Sequence, residues 1–272
     1  MYTQILYEKK EGVGVISINR PQKHNALTAT VLSEIVDVLN HAEHDDDVGS
    51  ILLRGEGKSF SAGYDISDDL VEEKEVSIFD RWTTWHKSDE KRYRLYYFPK
   101  PVVCEVKGHC LGGGIELSSL ADIVVAAEDA NFSLTELKLS IIPLGRMVYA
   151  CNNVRYAKEM MMLAENFSSA DAMRMGLVNR VVPRERLEAE SMRIAKRLAR
   201  LPGEPMQIIK KMCNDVMRMQ GFESATEWGA DMALFSQLVK TKMRERFDKI
   251  AETEGMRAAL KWSNDYYDGK TD

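Results

Sequence analysis

No stretch of this sequence approaches the roughly 20 apolar residues that a membrane-spanning helix needs. The N-terminus, MYTQILYEKKEG, also lacks the basic-then-apolar order of a secretion signal. A cytoplasmic location is the resulting expectation. Cysteine is scarce. Cys104, Cys110, Cys151 and Cys213 form no CxxC pair, which leaves no basis for a metal site or a disulfide framework. They read as buried thiols in a reducing compartment. There is no excess of positive charge: the formal net charge is −5, which argues against a general attraction to nucleic acid or to an anionic membrane. A phosphate loop is missing too, because the GKS at 57–59 needs a glycine five positions before Gly57, where Leu52 stands. Low-complexity segments and short fixed-period repeats are likewise absent. What is present is 272 residues, 44% hydrophobic and 29% charged, an ordinary globular balance with enough chain for a substantial core.

Along the chain, residues 5–7 and 13–19 alternate as a β-hairpin around Glu11 and Gly12. RPQKHNALT interrupts the pattern, with Thr28 or Thr30 as a candidate cap for a helix whose apolar spacing runs from Val31 to about His44. Residues 50–54 read as a short buried strand. The segment 65–98 is acidic and then aromatic, and Trp82 and Trp85 share a face if it is helical. Its aromatics are either core and subunit contact or the apolar wall of a ligand site. Residues 101–106 and 122–126 read as adjacent buried parallel strands. Residues 153–177 read as helical, followed by a strand over 178–182. The LPGEP at 201–205 is the clearest boundary, dividing residues 1–200 from a helical region, 201–272, rich in Met, Lys and Glu.

Between the two parallel strands stands GGGIE at 112–116. Three consecutive glycines are costly to order. They belong where a side chain must be excluded, and a backbone N–H at a helix N-terminus is suited to negative charge. The alternative is a tight turn into a buried helix, with Glu116 as a capping carboxylate.

Four segments in order, RPQKHNAL at 20–27, SFSAGYDI at 59–66, KPVVCEVKGHCLGGGIELSSLADIVVAAEDANF at 100–132 and AMRMGLVNRVVP at 172–183, resemble the enoyl-CoA hydratase/isomerase (crotonase) superfamily. The resemblance covers essentially the whole chain. It implies an α/β fold, a crotonase-like ββα spiral core with a C-terminal helical trimerisation region, and trimers that pair into hexamers. It implies coenzyme A as part of an acyl-CoA substrate, with no separate cofactor, metal, nucleic-acid or membrane partner.

By position, the resemblance places an oxyanion hole on the backbone N–H groups of Tyr64 and Gly113, with the Tyr64 ring free to narrow the acyl pocket. It makes Glu116 and Glu136 the catalytic acids. Glu136 would take the proton of the added water, and Glu116 would position that water and share the proton traffic. A surface pairing of Glu136 with Lys138 is the competing expectation. Lys23, Ala26, Leu27, Ala62, Asp65, Ile66 and Gly112 match the substrate and CoA path, Asp65 more as a fixer of its loop. Lys58 could reach phosphate. His109 reads as structural.

One departure concerns residues 143–151, PLGRMVYAC, which replace the glycine-rich run many hydratases carry after the second glutamate. Arg146 then becomes a candidate contact for a polar acyl substituent. Together with the aromatic segment, this favours a bulky or cyclic acyl group. Hydration of a 2-enoyl-CoA is the leading activity. Double-bond isomerisation on the same scaffold and a non-enzymatic, RNA-binding role are the alternatives.

Overall fold

In the computed structural model, which describes residues 1–65, 77–239 and 241–271, Glu11 and Gly12 both have positive φ (52° and 82°). They form the two-residue turn whose twist suits a hairpin, joining β1 (Ile5–Lys10) to β2 (Val13–Ile18). Helix α1 (Ala29–Glu43) starts at Thr28, whose side chain accepts the N–H of Val31. Strands β3 (Ser50–Gly55), β4 (Val102–Val106), β6 (Ile123–Ala127) and β9 (Arg180–Val182) extend the sheet in the order β1-β2-β3-β4-β6-β9, every pair after the hairpin being parallel. A second sheet pairs β5 (His109–Leu111), β7 (Asn131–Ser133) and β8 (Phe167–Ser168).

Every residue of β2 and β4 is buried. The continuous apolar runs follow from cover on both faces of the sheet. One face meets the main core around Ile16, Leu53, Cys104 and Phe132. Val13, Leu52, Val103 and Val125 on the other meet Ile194 and Ala195 of α7 (Leu187–Ala199). β4 and β6 are direct neighbours, as expected, with the glycine triplet in the crossover between them. This mixed α/β architecture, with helices at the C-terminus, is the expected fold class.

The region 153–177 differs from a continuous helix. The short helix α4 (Met147–Ala150) precedes α5 (Val154–Leu163), which stops at Ala164, whose φ is 50°. After β8, Ser168 and Asp171 form a reciprocal capping box that starts α6 (Ser169–Met175). Polar capping chemistry overrides apolar spacing here. The aromatic segment forms α2 (Ile78–Tyr96), capped by Ser77. Tyr93 and Tyr96 pack on Phe222 of α9 (Phe222–Leu238), with ring centroids 6.1 and 4.7 Å apart. Ile66 and the side chain of Trp85 lie outside the described residues.

Helix α8 (Gly203–Met219) leaves Ile208, Met212 and Met219 exposed. α10 (Lys242–Glu254) and α11 (Met256–Tyr267) follow α9. Among the described residues no helix is long and apolar enough to cross a membrane.

Candidate active site

The loop 20–27 and the strand-like segment 59–65 lock together through short polar side chains. Asn25 is fully buried with φ 58°. It accepts the Arg20 N–H and donates to the carbonyls of Glu56 and Ser59. The Ser61 hydroxyl donates to the Asn25 carbonyl and accepts the Gly63 N–H. Leu27 donates to the Gly63 carbonyl (2.7 Å) and accepts from the Asp65 N–H (2.9 Å). By the alternation of an extended chain, the Tyr64 N–H is directed away from Leu27. That side faces β5 and the glycine triplet, where a Cβ on Gly63 would come within 3.3 Å of Gly113 N.

The triplet turns through Gly112, at φ 48° and ψ −118°, directly into the six-residue helix α3 (Gly113–Ser118), every residue of which is buried. The Gly112 N–H donates to the Ser133 carbonyl at 2.8 Å, fastening the turn to β7. The Ile115 and Glu116 N–H groups close on the Gly112 carbonyl. Gly113 N–H makes no hydrogen bond among the described residues, as expected of a first-turn donor. The residue types answer to space. A Cβ at Gly112 would meet Glu136 Oε1 at 2.7 Å, and one at Gly113 would meet the Tyr64 ring at 2.7 Å.

Glu116, in the first turn of α3, is 2% exposed. Its Oε2 accepts from the Tyr64 hydroxyl at 2.6 Å and faces Arg146 Nη2 at 3.5 Å. Glu136 begins a short 3-10 helix (Glu136–Leu139) after β7. Its Oε2 is buried with no hydrogen-bond partner among the described residues. Burial first, and the negative charge of Glu116 second, push the Glu136 carboxyl up to about 8. The two acids therefore occupy unlike settings on either side of the glycine turn. Lys138, weighed as a partner for Glu136, faces Asp268 (3.8 Å) and Asn264 (3.4 Å) of the C-terminal region instead.

Arg146 is 1% exposed, its guanidinium 5.6 Å from the Tyr93 ring centroid and turned to Glu116. Arg146 is brought in by a close crossing of segment 143–147 and α9. A Cβ at Gly229 would lie 2.3 Å from Gly145 N and 2.8 Å from its Cα. Alanine is the better helix former by about 1 kcal/mol, but the overlap is with backbone that cannot swing aside. Gly229→Ala is expected to destabilise the fold by roughly 1–3 kcal/mol, seen as a lower urea midpoint. An unchanged or higher midpoint would refute this packing.

The remaining expected residues are dispersed along the 20–27 and 59–65 segments. Asp65, 7% exposed, pairs with Arg20 at 2.8 Å, and Arg20 also donates to the Ala26 carbonyl at 2.6 Å. These contacts fit a loop-fixing part. The Ala62 N–H donates to the His24 carbonyl, and Leu27 is buried. Lys23 and Lys58 are exposed. His109 stacks edge-on against His24 at 5.4 Å. Sequence reasoning had no part for Asn25, for Ser61 or for the hydroxyl of Tyr64. A tyrosine placed directly after Gly63, where a backbone donor was expected, was the available signal for the last.

The sequence model described as Enoyl-CoA hydratase/isomerase matches residues 8–260. The probable enoyl-CoA hydratase echA8 of Mycobacterium bovis is 32% identical over 234 residues, covering 84% of this chain and 86% of that protein. The short-chain-enoyl-CoA hydratase of Clostridium acetobutylicum is 33% identical over 222 residues, 79% of this chain and 82% of the relative. The crystal structure of an enoyl-CoA hydratase/isomerase from Xanthobacter autotrophicus superposes with a TM-score of 0.90 at 32% identity, over 97% of this chain and 98% of the other. With the two acids, the glycine turn and these relatives together, the chain belongs to the enoyl-CoA hydratase/isomerase family.

Proposed function

We propose that this protein is an enoyl-CoA hydratase, adding water reversibly across the 2,3 double bond of an enoyl-CoA thioester. The observation that carries the reading is the unlike setting of the two acids. Glu136, pushed up to about 8, holds a proton at neutral pH, whereas Glu116 faces a hydroxyl donor and a guanidinium. Glu116 takes a proton from water as the water oxygen bonds to C3, and Glu136 delivers its own proton to C2. The water's proton, which the sequence resemblance assigned to Glu136, goes to Glu116 in this reading. Charge that develops on the thioester oxygen is received by the N–H groups of Tyr64 and Gly113, a pair of fixed donors of the kind worth roughly 2.7–4 kcal/mol each in barrier.

The loop 20–27, Ala62 and the turn at Gly112 line the CoA path in this reading, and no separate cofactor is required. The acyl group is bulky or cyclic, in keeping with Tyr93 of α2, whose ring lies against the Arg146 guanidinium. The exposed Ile208, Met212 and Met219 of α8 are the face that further copies cover in a trimer.

Purified protein offered crotonyl-, alicyclic and aromatic 2-enoyl-CoAs should add the mass of one water, fastest on a ring-bearing substrate. Product of unchanged mass with a moved double bond would establish the isomerase instead. A clear preference for crotonyl-CoA would mean that Arg146 and Met147, both buried, fill the pocket.

A further inference from the structure

The side chain of Tyr64 meets the catalytic machinery at a point its backbone N–H does not explain. Its hydroxyl donates to Glu116 Oε2 at 2.6 Å, the same oxygen that faces Arg146 Nη2 at 3.5 Å. Glu116 Oε1 makes no hydrogen bond among the described residues. The ring is held from two sides. Gly113 lies against it so closely that a Cβ there would sit 2.7 Å from Cε2 and 2.8 Å from Cζ. The backbone at 63–65 is pinned by Leu27. Both donors therefore address one carboxylate oxygen from fixed positions, and a carboxylate held through one oxygen has its plane and its other oxygen set. Positioned proton transfer depends on that setting.

We propose that Tyr64 is a positioning residue for Glu116: its phenol, with Arg146, fixes the carboxylate through Oε2 so that Oε1 is the oxygen that takes the proton from water. The proposal rests on the hydratase reading for its consequence in turnover, but the hydrogen bond itself has a readout independent of activity. Among the described residues, the polar and charged groups recorded against Glu116 are Tyr64, Arg146 and Glu136, from the 59–65 segment, the 143–147 segment and the 3-10 helix respectively.

Tyr64→Phe tests it, because the ring against Gly113 and the backbone N–H are both kept. The expected result is a fall in kcat of about 10- to 100-fold, smaller than the roughly 10²–10⁴-fold worth of a positioned acid–base group because Tyr64 acts only through Glu116. KM and affinity for a saturated acyl-CoA should stay within about threefold. Difference infrared spectroscopy, with the Glu116 carboxylate band assigned by its loss in Glu116→Gln, should show that band shifting in Tyr64→Phe, because the phenol donor to Oε2 is gone. That holds whether or not the chosen enoyl-CoA is turned over. Unchanged kcat and an unshifted Glu116 carboxylate band in Tyr64→Phe would overturn the proposal. A shifted band in a protein that hydrates no enoyl-CoA would leave the positioning bond standing and remove the hydratase reading.

Discussion

Glu136→Gln is expected to lower hydration by about 10³-fold or more while leaving acyl-CoA binding intact and making the fold more stable at alkaline pH. The loss follows from removing the proton delivered to C2, and a positioned general acid contributes roughly 10²–10⁴-fold. The stability change follows from where that proton sits. Burial and the Glu116 charge raise the Glu136 carboxyl from an ordinary 4.5 to about 8. Between those two values the folded protein holds a proton that the unfolded chain has released. Folded-state proton binding exceeds unfolded-state binding there, so stability falls as pH rises through this window.

Glutamine cannot ionise and escapes that fall. Urea unfolding of wild type and variant should therefore nearly coincide below pH 4.5 and separate progressively toward pH 8, the variant being the more stable. Glutamine inherits the same burial, so the gap is the linkage contribution alone, on the order of a few kcal/mol by pH 8. The wild-type rate should fall along an alkaline limb near pH 8. Activity near wild type in Glu136→Gln would sink the acid assignment. A constant stability gap across pH would contradict the raised carboxyl.

Gly113→Ala should cost about 10²–10³-fold in kcat, the loss typical when an oxyanion donor is displaced. Alanine suits a helix better than glycine by about 1 kcal/mol, but here its Cβ would lie 2.7 Å from the Tyr64 ring. The ring must shift, pulling its hydroxyl from Glu116, or α3 must shift, moving the Gly113 N–H. Either route damages the site without removing an ionisable group. A double-mutant cycle separates this mechanism from a general folding defect. In a Tyr64→Ala background there is no ring to meet, so adding Gly113→Ala should cost far less than it does in wild type. Equal costs in both backgrounds would show that the ring is not what the methyl meets.

Much of this architecture was readable from local sequence rules. Glu11-Gly12 specifies its own turn, Thr28 its own cap, and the runs at 102–106 and 123–127 their burial on both faces, because each depends on neighbours a few residues away. The failure at 153–177 has the same origin. Apolar spacing continues through Phe167, and only the left-handed Ala164 and the Ser168–Asp171 box divide the helix. Lys138 looked a plausible partner for Glu136 while the C-terminal helices could not be placed. Packed against the 136–139 turn, they give Lys138 Asp268 and Asn264.

The sequence by itself determined the family, the strand–glycine–helix turn and the presence of two candidate acids, since these reside in contiguous motifs. Tertiary structure decided the setting of each acid, and with it the raised carboxyl of Glu136. That property depends on burial and on charges brought together across the fold. Tyr64 and Glu116 are 52 positions apart and Arg146 and Glu116 are 30 apart, yet all three converge on a single carboxylate oxygen. Glu136, across the glycine turn, is left buried and without a partner among the described residues. Proton affinity follows that three-dimensional company, which no spacing along the chain encodes.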